Sequence, residues 1–297
     1  IMALVITPIV RRLALRNGFI DKADGGLLKI HKESTALLGG VAIVIAYIVG
    51  LWLLLVHSPQ SIVHSKMQIM GIVIGGLLIF GVGLWDDVEG VKPRVRLLVQ
   101  VLAGVAVFWV GTRVNFIPIS WIAIPLTLFY IVGAINAFNV IDGMDGLCAG
   151  ISLVACVGFF YLGLKGGNAL LTGLSAILFM GLLGFLPYNF HPARIFLGDA
   201  GSGFLGFMMG TMAVMATSKP LNFASFVAPI LVICVPVLDM AFAILRRLVR
   251  EKPLFIGDRD HMYDLLLNRN WSQSKVWCFM CGVQAVMAGI VILAVSG

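Results

Sequence analysis

Residues 69–85, Ile-Met-Gly-Ile-Val-Ile-Gly-Gly-Leu-Leu-Ile-Phe-Gly-Val-Gly-Leu-Trp, run without a charge and then meet Asp86-Asp87. A helix on the surface of a soluble protein carries a polar face at helical spacing. This stretch has none on any side, and it approaches the roughly 20 mainly apolar residues that cross a bilayer as a helix. It lacks the alternation of a barrel strand. A backbone in lipid must satisfy its own hydrogen bonds, so the stretch reads as a spanning helix.

The same reading extends along the chain. Sixty per cent of the 297 residues are hydrophobic and 12% are charged, about half the charge of a typical soluble domain, roughly 25%. Apolar runs separated by polar breaks predict ten spans, at approximately 1–16, 36–56, 69–85, 96–112, 119–138, 147–164, 169–187, 201–217, 223–249 and 274–296. The expected fold is an all-α polytopic membrane protein, a single domain over 1–297. The chain opens on Ile1 and not Met, so the first span is expected to be cut short at its start. Cys148, Cys156, Cys234, Cys278 and Cys281 all lie in or beside apolar runs, where cysteine packs as a small hydrophobe.

Ten spans leave nine loops, and charge separates them. The odd loops and adjoining helix ends hold 17 of the 21 basic residues, whereas Lys66, Arg113, Lys165 and Lys219 are spread over the even loops. The positive-inside rule places the odd loops in the cytoplasm. Acids do not follow that rule, yet 13 of the 14 lie in the same odd loops, and the last, Asp239, lies within the ninth span. One-sided acids at apolar helix ends point to a site at the inner membrane boundary.

Four constellations carry the chemistry. Asp86-Asp87 ends the third span; adjacent carboxylates repel unless a cation, a proton or a basic partner compensates them, and Lys92, Arg94 and Arg96 follow closely. Acids beside bases suit a site for a metal ion and phosphate oxygens. The second is Asn136-Ala-Phe-Asn139-Val-Ile-Asp142-Gly-Met-Asp145-Gly146-Leu147. Two amides and two carboxylates after an apolar run are costly in lipid and ask for a polar guest: a base, a ribose or magnesium. The plainer reading is a capped, glycine-rich turn. The third, Asn189-Phe-His191-Pro-Ala-Arg194-Ile-Phe196-Leu-Gly-Asp199-Ala-Gly-Ser202, sets one carboxylate among small residues before a span, where a helix N-terminus favours anions. The fourth is the last odd loop, with Arg246, Arg247, Arg250, Asp260, His261 and Asp264. Asp239 is expected to pair with a neighbouring helix or to border the site.

Together these motifs resemble the polyprenyl-phosphate N-acetylhexosamine-1-phosphate transferases, whose members start O-antigen, enterobacterial common antigen, teichoic-acid linkage, peptidoglycan or N-glycan lipid intermediates. The resemblance runs in order from His31 with Leu38-Gly39-Gly40, through Asp86-Asp87, the 136–147 motif and Phe196-x-Gly-Asp199-x-Gly-Ser202, to His261. It implies transfer of a sugar 1-phosphate from a UDP-sugar to a lipid phosphate at the cytoplasmic membrane face, with magnesium, which manganese could replace, and release of UMP. The short loop after Asp86 favours the UDP-N-acetylglucosamine branch, with undecaprenyl phosphate as acceptor, in a bacterial inner membrane. By resemblance Asp199 and Asp87 are magnesium ligands. Asp86, Asp87, Asp199 and His261 are catalytic, and His31, Asn136, Asn139, Asp142, Asp145, Asn189, Phe196, Arg94, Arg96 and Arg194 bind substrate. No nucleic acid is expected as a partner, and a homodimer is an open alternative. The chain departs from the family's His-Ile-His-Arg loop: it reads His261-Met262-Tyr263-Asp264, so only the first histidine matches.

The alternatives are another UDP-N-acetylhexosamine, UDP-MurNAc-pentapeptide and, in a different class, a secondary transporter. Transporters gather polar groups near the bilayer midplane, often in paired repeats; here Asp239 alone is intramembrane and no repeat is evident. The spaced acids of CDP-alcohol phosphotransferases and of intramembrane prenyltransferases do not match the spacing of three in 136–145.

Overall fold

The computed structural model describes residues 2–21, 34–57, 65–114, 119–217, 223–251 and 260–296. His31, with Lys22, Asp24, Lys29, Lys32, Glu33, Lys219, Lys252, Asp258 and Arg259, lies outside the described residues. Those described form twelve helices: α1 Met2–Arg16, α2 Gly39–His57, α3 Lys66–Glu89, α4 Pro93–Trp109, α5 Ser120–Ile141, α6 Leu147–Lys165, α7 Ala169–Asn189, α8 Gly198–Ala216, α9 Phe223–Leu231, α10 Cys234–Val249, α11 Met262–Leu267 and α12 Gln273–Ser296.

The protein is an all-α polytopic membrane protein. Each expected span coincides with a helix, except that 223–249 is two. Six helices, α2, α3, α5, α6, α7 and α12, are long and apolar enough to cross a membrane, so the expected ten are not reached on that measure. Of the remainder, α1 and α4 are short, the ninth span is broken, and α8 is mixed in composition. The break between α9 and α10 exposes backbone groups that lipid cannot satisfy. Gln284, fully buried on α12, answers them: Nε2 donates to Val232 O at 2.6 Å and Oε1 accepts the Val235 N–H at 3.1 Å.

The bundle is organised around α8. Residues 200–214 of this helix are buried without interruption, and it packs chiefly against α5 and α3. Protein, not lipid, surrounds α8, so it can be rich in glycine and methionine and still sit at membrane depth. Close backbone approach is what small residues supply in membrane bundles. A Cβ on Gly83 of α3 would stand 2.6 Å from Ala200 Cα, and one on Gly40 of α2 would stand 2.5 Å from Gly201 Cα. The outer surface carries the large apolar side chains instead. Trp52, Trp109 and Trp121 are exposed near one end, as interfacial anchors are.

At the opposite end lies the one β ribbon among the described residues. Ile20–Asp21 (β1) pairs antiparallel with Thr35–Ala36 (β2). The ribbon continues onto the segment before α8: Phe196 N donates to Ala36 O, and Gly39 N and Gly40 N donate to Phe196 O and Leu197 O. This stitching fixes the entry of α8 and carries Asp21 toward it.

Candidate active site

Asp86 and Asp87 lie about 100° apart on the last turn of α3, and their carboxylates go to different partners. Asp87 Oδ1 accepts the Asp199 N–H at 2.7 Å and Oδ2 accepts the Ala200 N–H at 3.0 Å. Those amides are unpaired donors of a helix start, and the helix dipole favours negative charge there. Asp87 is therefore a cap for α8 supplied by another helix. Asp86, its side chain 8% exposed, accepts the Val91 N–H at 2.5 Å and binds the Arg96 guanidinium.

Arg96 carries the network onward. Its other terminal nitrogen donates to Asn139 Oδ1 at 2.9 Å and lies 3.6 Å from Asp199 Oδ1. Asn139 Nδ2 in turn donates to Asp199 and, at 3.1 Å, to Ser202 Oγ. Four stretches of chain thus meet at one carboxylate, Asp199.

A cavity of about 260 Å³ opens beside it, lined by Asp21, Leu37, Asp87, Asn139, Asp142, Gly143, Met144, Asp145, Asn189, Phe196, Leu197, Gly198, Asp199 and Gln273. Asp145 accepts from Ala193 N at 3.1 Å and pairs with His191 Nδ1 at 2.8 Å, pinning the loop before α8. Asp142 lies in the turn after α5. Burial first, then the charges of Asp199, Asp87 and Asp145, push its carboxyl well above the usual carboxylate range. Such crowding marks a place where added positive charge is favourable. Among the described residues no three His, Cys, Asp or Glu side chains form a ready metal cage. Magnesium does not require one, since it commonly takes one or two carboxylates and completes its shell with water and phosphate. Two buried carbonyl acceptors on the cavity wall, Asn189 Oδ1 and Gln273 Oε1, have no partner among the described residues, and buried acceptors are normally satisfied.

Of the residues singled out in the sequence, Asp87, Asn139, Asp142, Asp145, Asn189, Phe196 and Asp199 therefore share one cavity. Asn136 does not line it; its amide donates to Gln100 Oε1 at 2.8 Å, joining α5 to α4. Asp86 stands behind Arg96. Arg94 and Arg194 are exposed and lie outside the lining, and the carbonyl of Arg194 accepts from Arg11 Nε at 2.9 Å. His261 is also outside the lining, paired with Asp239. Sequence reasoning missed Asp21 and Gln273. Asp21 has only its place among the one-sided acids to mark it, and Gln273 has nothing.

A family model described as glycosyl transferase family 4 matches residues 69–217, about half the chain. A probable undecaprenyl-phosphate N-acetylglucosaminyl 1-phosphate transferase of Bacillus subtilis is 34% identical over 273 residues, covering 89% of this chain and 74% of the relative. The chain belongs to glycosyl transferase family 4. A decaprenyl-phosphate N-acetylglucosaminephosphotransferase of Mycobacterium tuberculosis is 31% identical, over 90% of this chain and 73% of the relative. A phospho-N-acetylmuramoyl-pentapeptide-transferase of Moorella thermoacetica is also 31% identical, over 92% and 88%. The segment matched by the family 4 model contains every acid of the cavity except Asp21, and it stops before Asp239, His261 and Gln273.

Proposed function

We propose that this family 4 protein transfers N-acetylglucosamine 1-phosphate from UDP-N-acetylglucosamine to undecaprenyl phosphate, at the cytoplasmic face of a bacterial inner membrane. The observation that carries the reading is the convergence of Asp87, Asn139, Asp142, Asp145 and Asp199, from three separate stretches, on one cavity at helix ends. The names of the relatives supply the substrates, and the one-sided basic loops support the orientation. A lipid acceptor and a water-soluble donor can meet only at such a boundary.

In the reaction an acceptor phosphate oxygen attacks the sugar-linked phosphorus of the donor. A new P–O bond forms, the bond to the UMP bridging oxygen breaks, and UMP leaves with the electron pair. A phosphate monoester has its second pKa near ~6, so the acceptor is already largely dianionic at neutral pH. Positioning is then the larger share of the catalysis. Asp199, with Asp142 beside it, is the group to hold magnesium, which when bound offsets the charge of the diphosphate. Asp87 keeps Asp199 in place through the α8 cap, and Arg96 turns its guanidinium toward the same carboxylate. Asn139, Asp142, Asp145, Asn189 and Phe196 are assigned to the nucleotide. The unpartnered Asn189 and Gln273 carbonyls suit N–H donors, which a uracil ring and an acetamido group both bring.

The test is a radiolabelled panel: UDP-GlcNAc, UDP-GalNAc and UDP-MurNAc-pentapeptide, each with undecaprenyl phosphate and magnesium in detergent. UDP-GlcNAc is expected to give lipid-linked product and UMP. Chelation should stop turnover, and added magnesium should restore it. Product from the pentapeptide donor alone would replace this reading with the second one, which the Moorella relative favours. UDP-sugar transport without UMP release would end both.

Asp87→Asn should lower kcat about 10- to 100-fold. An amide can accept from only one of the two α8 amides and turns an N–H toward the other, a loss of about 1–3 kcal/mol. UMP release under saturating substrates measures it.

A further inference from the structure

The turn 142–146 carries Asp142 and Asp145 but has two glycines, so it needs bracing from outside. Asp145 braces one side through the loop at 191–193. The other side is met by the last third of the chain, beyond the segment that the family model matches.

Asp239 of α10 is 2% exposed, and a carboxylate so placed is costly unless both oxygens are engaged. Both are: Oδ1 accepts the Met262 N–H at 2.6 Å, and Oδ2 pairs with His261 Nδ1 at 2.8 Å. The His261 ring stacks on Tyr263, with centroids 5.8 Å apart and planes 11° from parallel. Tyr263 then reaches the turn. A Cβ added at Gly143 would overlap the Tyr263 hydroxyl oxygen and stand 2.7 Å from Cζ, so this hydroxyl occupies the side-chain space of the residue next to Asp142.

We infer that Asp239, His261 and Tyr263 form a buried strut that sets the position of Asp142 in the cavity. His261 is thereby a positioning residue that acts through Tyr263. Tyr263 stands where the loop of the resembled family has its second histidine. Tyrosine fits such a role because its ring is rigid, with two side-chain torsions, and ends in a polar tip that reaches the turn. The inference rests on the transferase reading above and refines it, making the last loop a support for the donor side of the site.

Steady-state kinetics of the purified full chain in detergent test it. Tyr263→Phe keeps the stacked ring and removes the hydroxyl. The KM for UDP-GlcNAc should rise about tenfold, while the KM for undecaprenyl phosphate and the melting temperature stay unchanged. Gly143→Ala should lose about a hundredfold in kcat/KM, and Gly143→Ala combined with Tyr263→Ala should recover at least about tenfold of it, because removing the ring makes room for the methyl. An unchanged donor KM in Tyr263→Phe, equal shifts in both KM values, or no recovery in the double variant would overturn the strut. Absence of UMP release from the wild-type chain would instead strike the transferase reading, so the two failures are distinguishable.

Discussion

Asp199→Asn is expected to remove nearly all turnover, at least about a thousandfold, equivalent to ~4 kcal/mol of transition-state stabilisation. The substitution preserves volume and removes one negative charge at the place where four stretches of chain meet. Asn139 donates to this carboxylate, Arg96 lies 3.6 Å from it, and Asp87 caps the amide of the same residue. An amide in its place would offer a weaker ligand to magnesium and would put an N–H against the donors of Asn139. Folding should survive, because the α8 cap uses the backbone of Asp199 and not its side chain. The measurement is UMP release together with a melting curve in detergent. Full activity with normal melting would take Asp199 out of the metal site.

Gly83→Val should be nearly as damaging, by a different route. A Cβ at this position meets Ala200 Cα and Asp199 O at 2.6 Å, and these are backbone atoms that cannot rotate away. Overpacking of a core costs about 1–3 kcal/mol where side chains can adjust. Here α3 and α8 must separate, which pulls Asp87 from the two amides it caps. The expected result is a loss of folded yield in detergent and, in whatever folds, at least about a hundredfold lower activity. Normal yield with wild-type turnover would show that the α3–α8 crossing has slack.

Much of this arrangement is legible in the sequence, because lipid imposes a strict local rule. A run such as 69–85 has one stable conformation in a bilayer, so the helices follow from composition. The one-sided acids mark the end of the bundle that carries the cavity. What sequence does not resolve is the division of labour among neighbours. Asp86 and Asp87 are chemically identical and adjacent, but the helical twist sends one to Arg96 and the other to α8. Asn136 and Asn139 share a face with a three-residue spacing, but only Asn139 is level with Asp199, and Asn136 meets Gln100. Arg94 and Arg96 are indistinguishable until α4 is docked. Among the described residues, the helices that are long and apolar enough to cross a membrane number fewer than ten for a related reason: α8 is shielded by protein, so the demand for apolar content is relaxed there. The pairing of Asp239 with His261 joins residues 22 apart in the chain, beyond any local periodicity.

The enclosure of α8 also bears on how the protein meets its surroundings. The helices that face acyl chains are the outer ones, while Asp199, the carboxylate on which the site converges, hangs on a central rod whose residues 200–214 are buried in protein. When a bilayer thins or thickens, the peripheral helices adapt by tilting, and the rod with its stitched entrance can keep its register. The position of Asp199 is thereby insulated from the mechanical state of the host membrane.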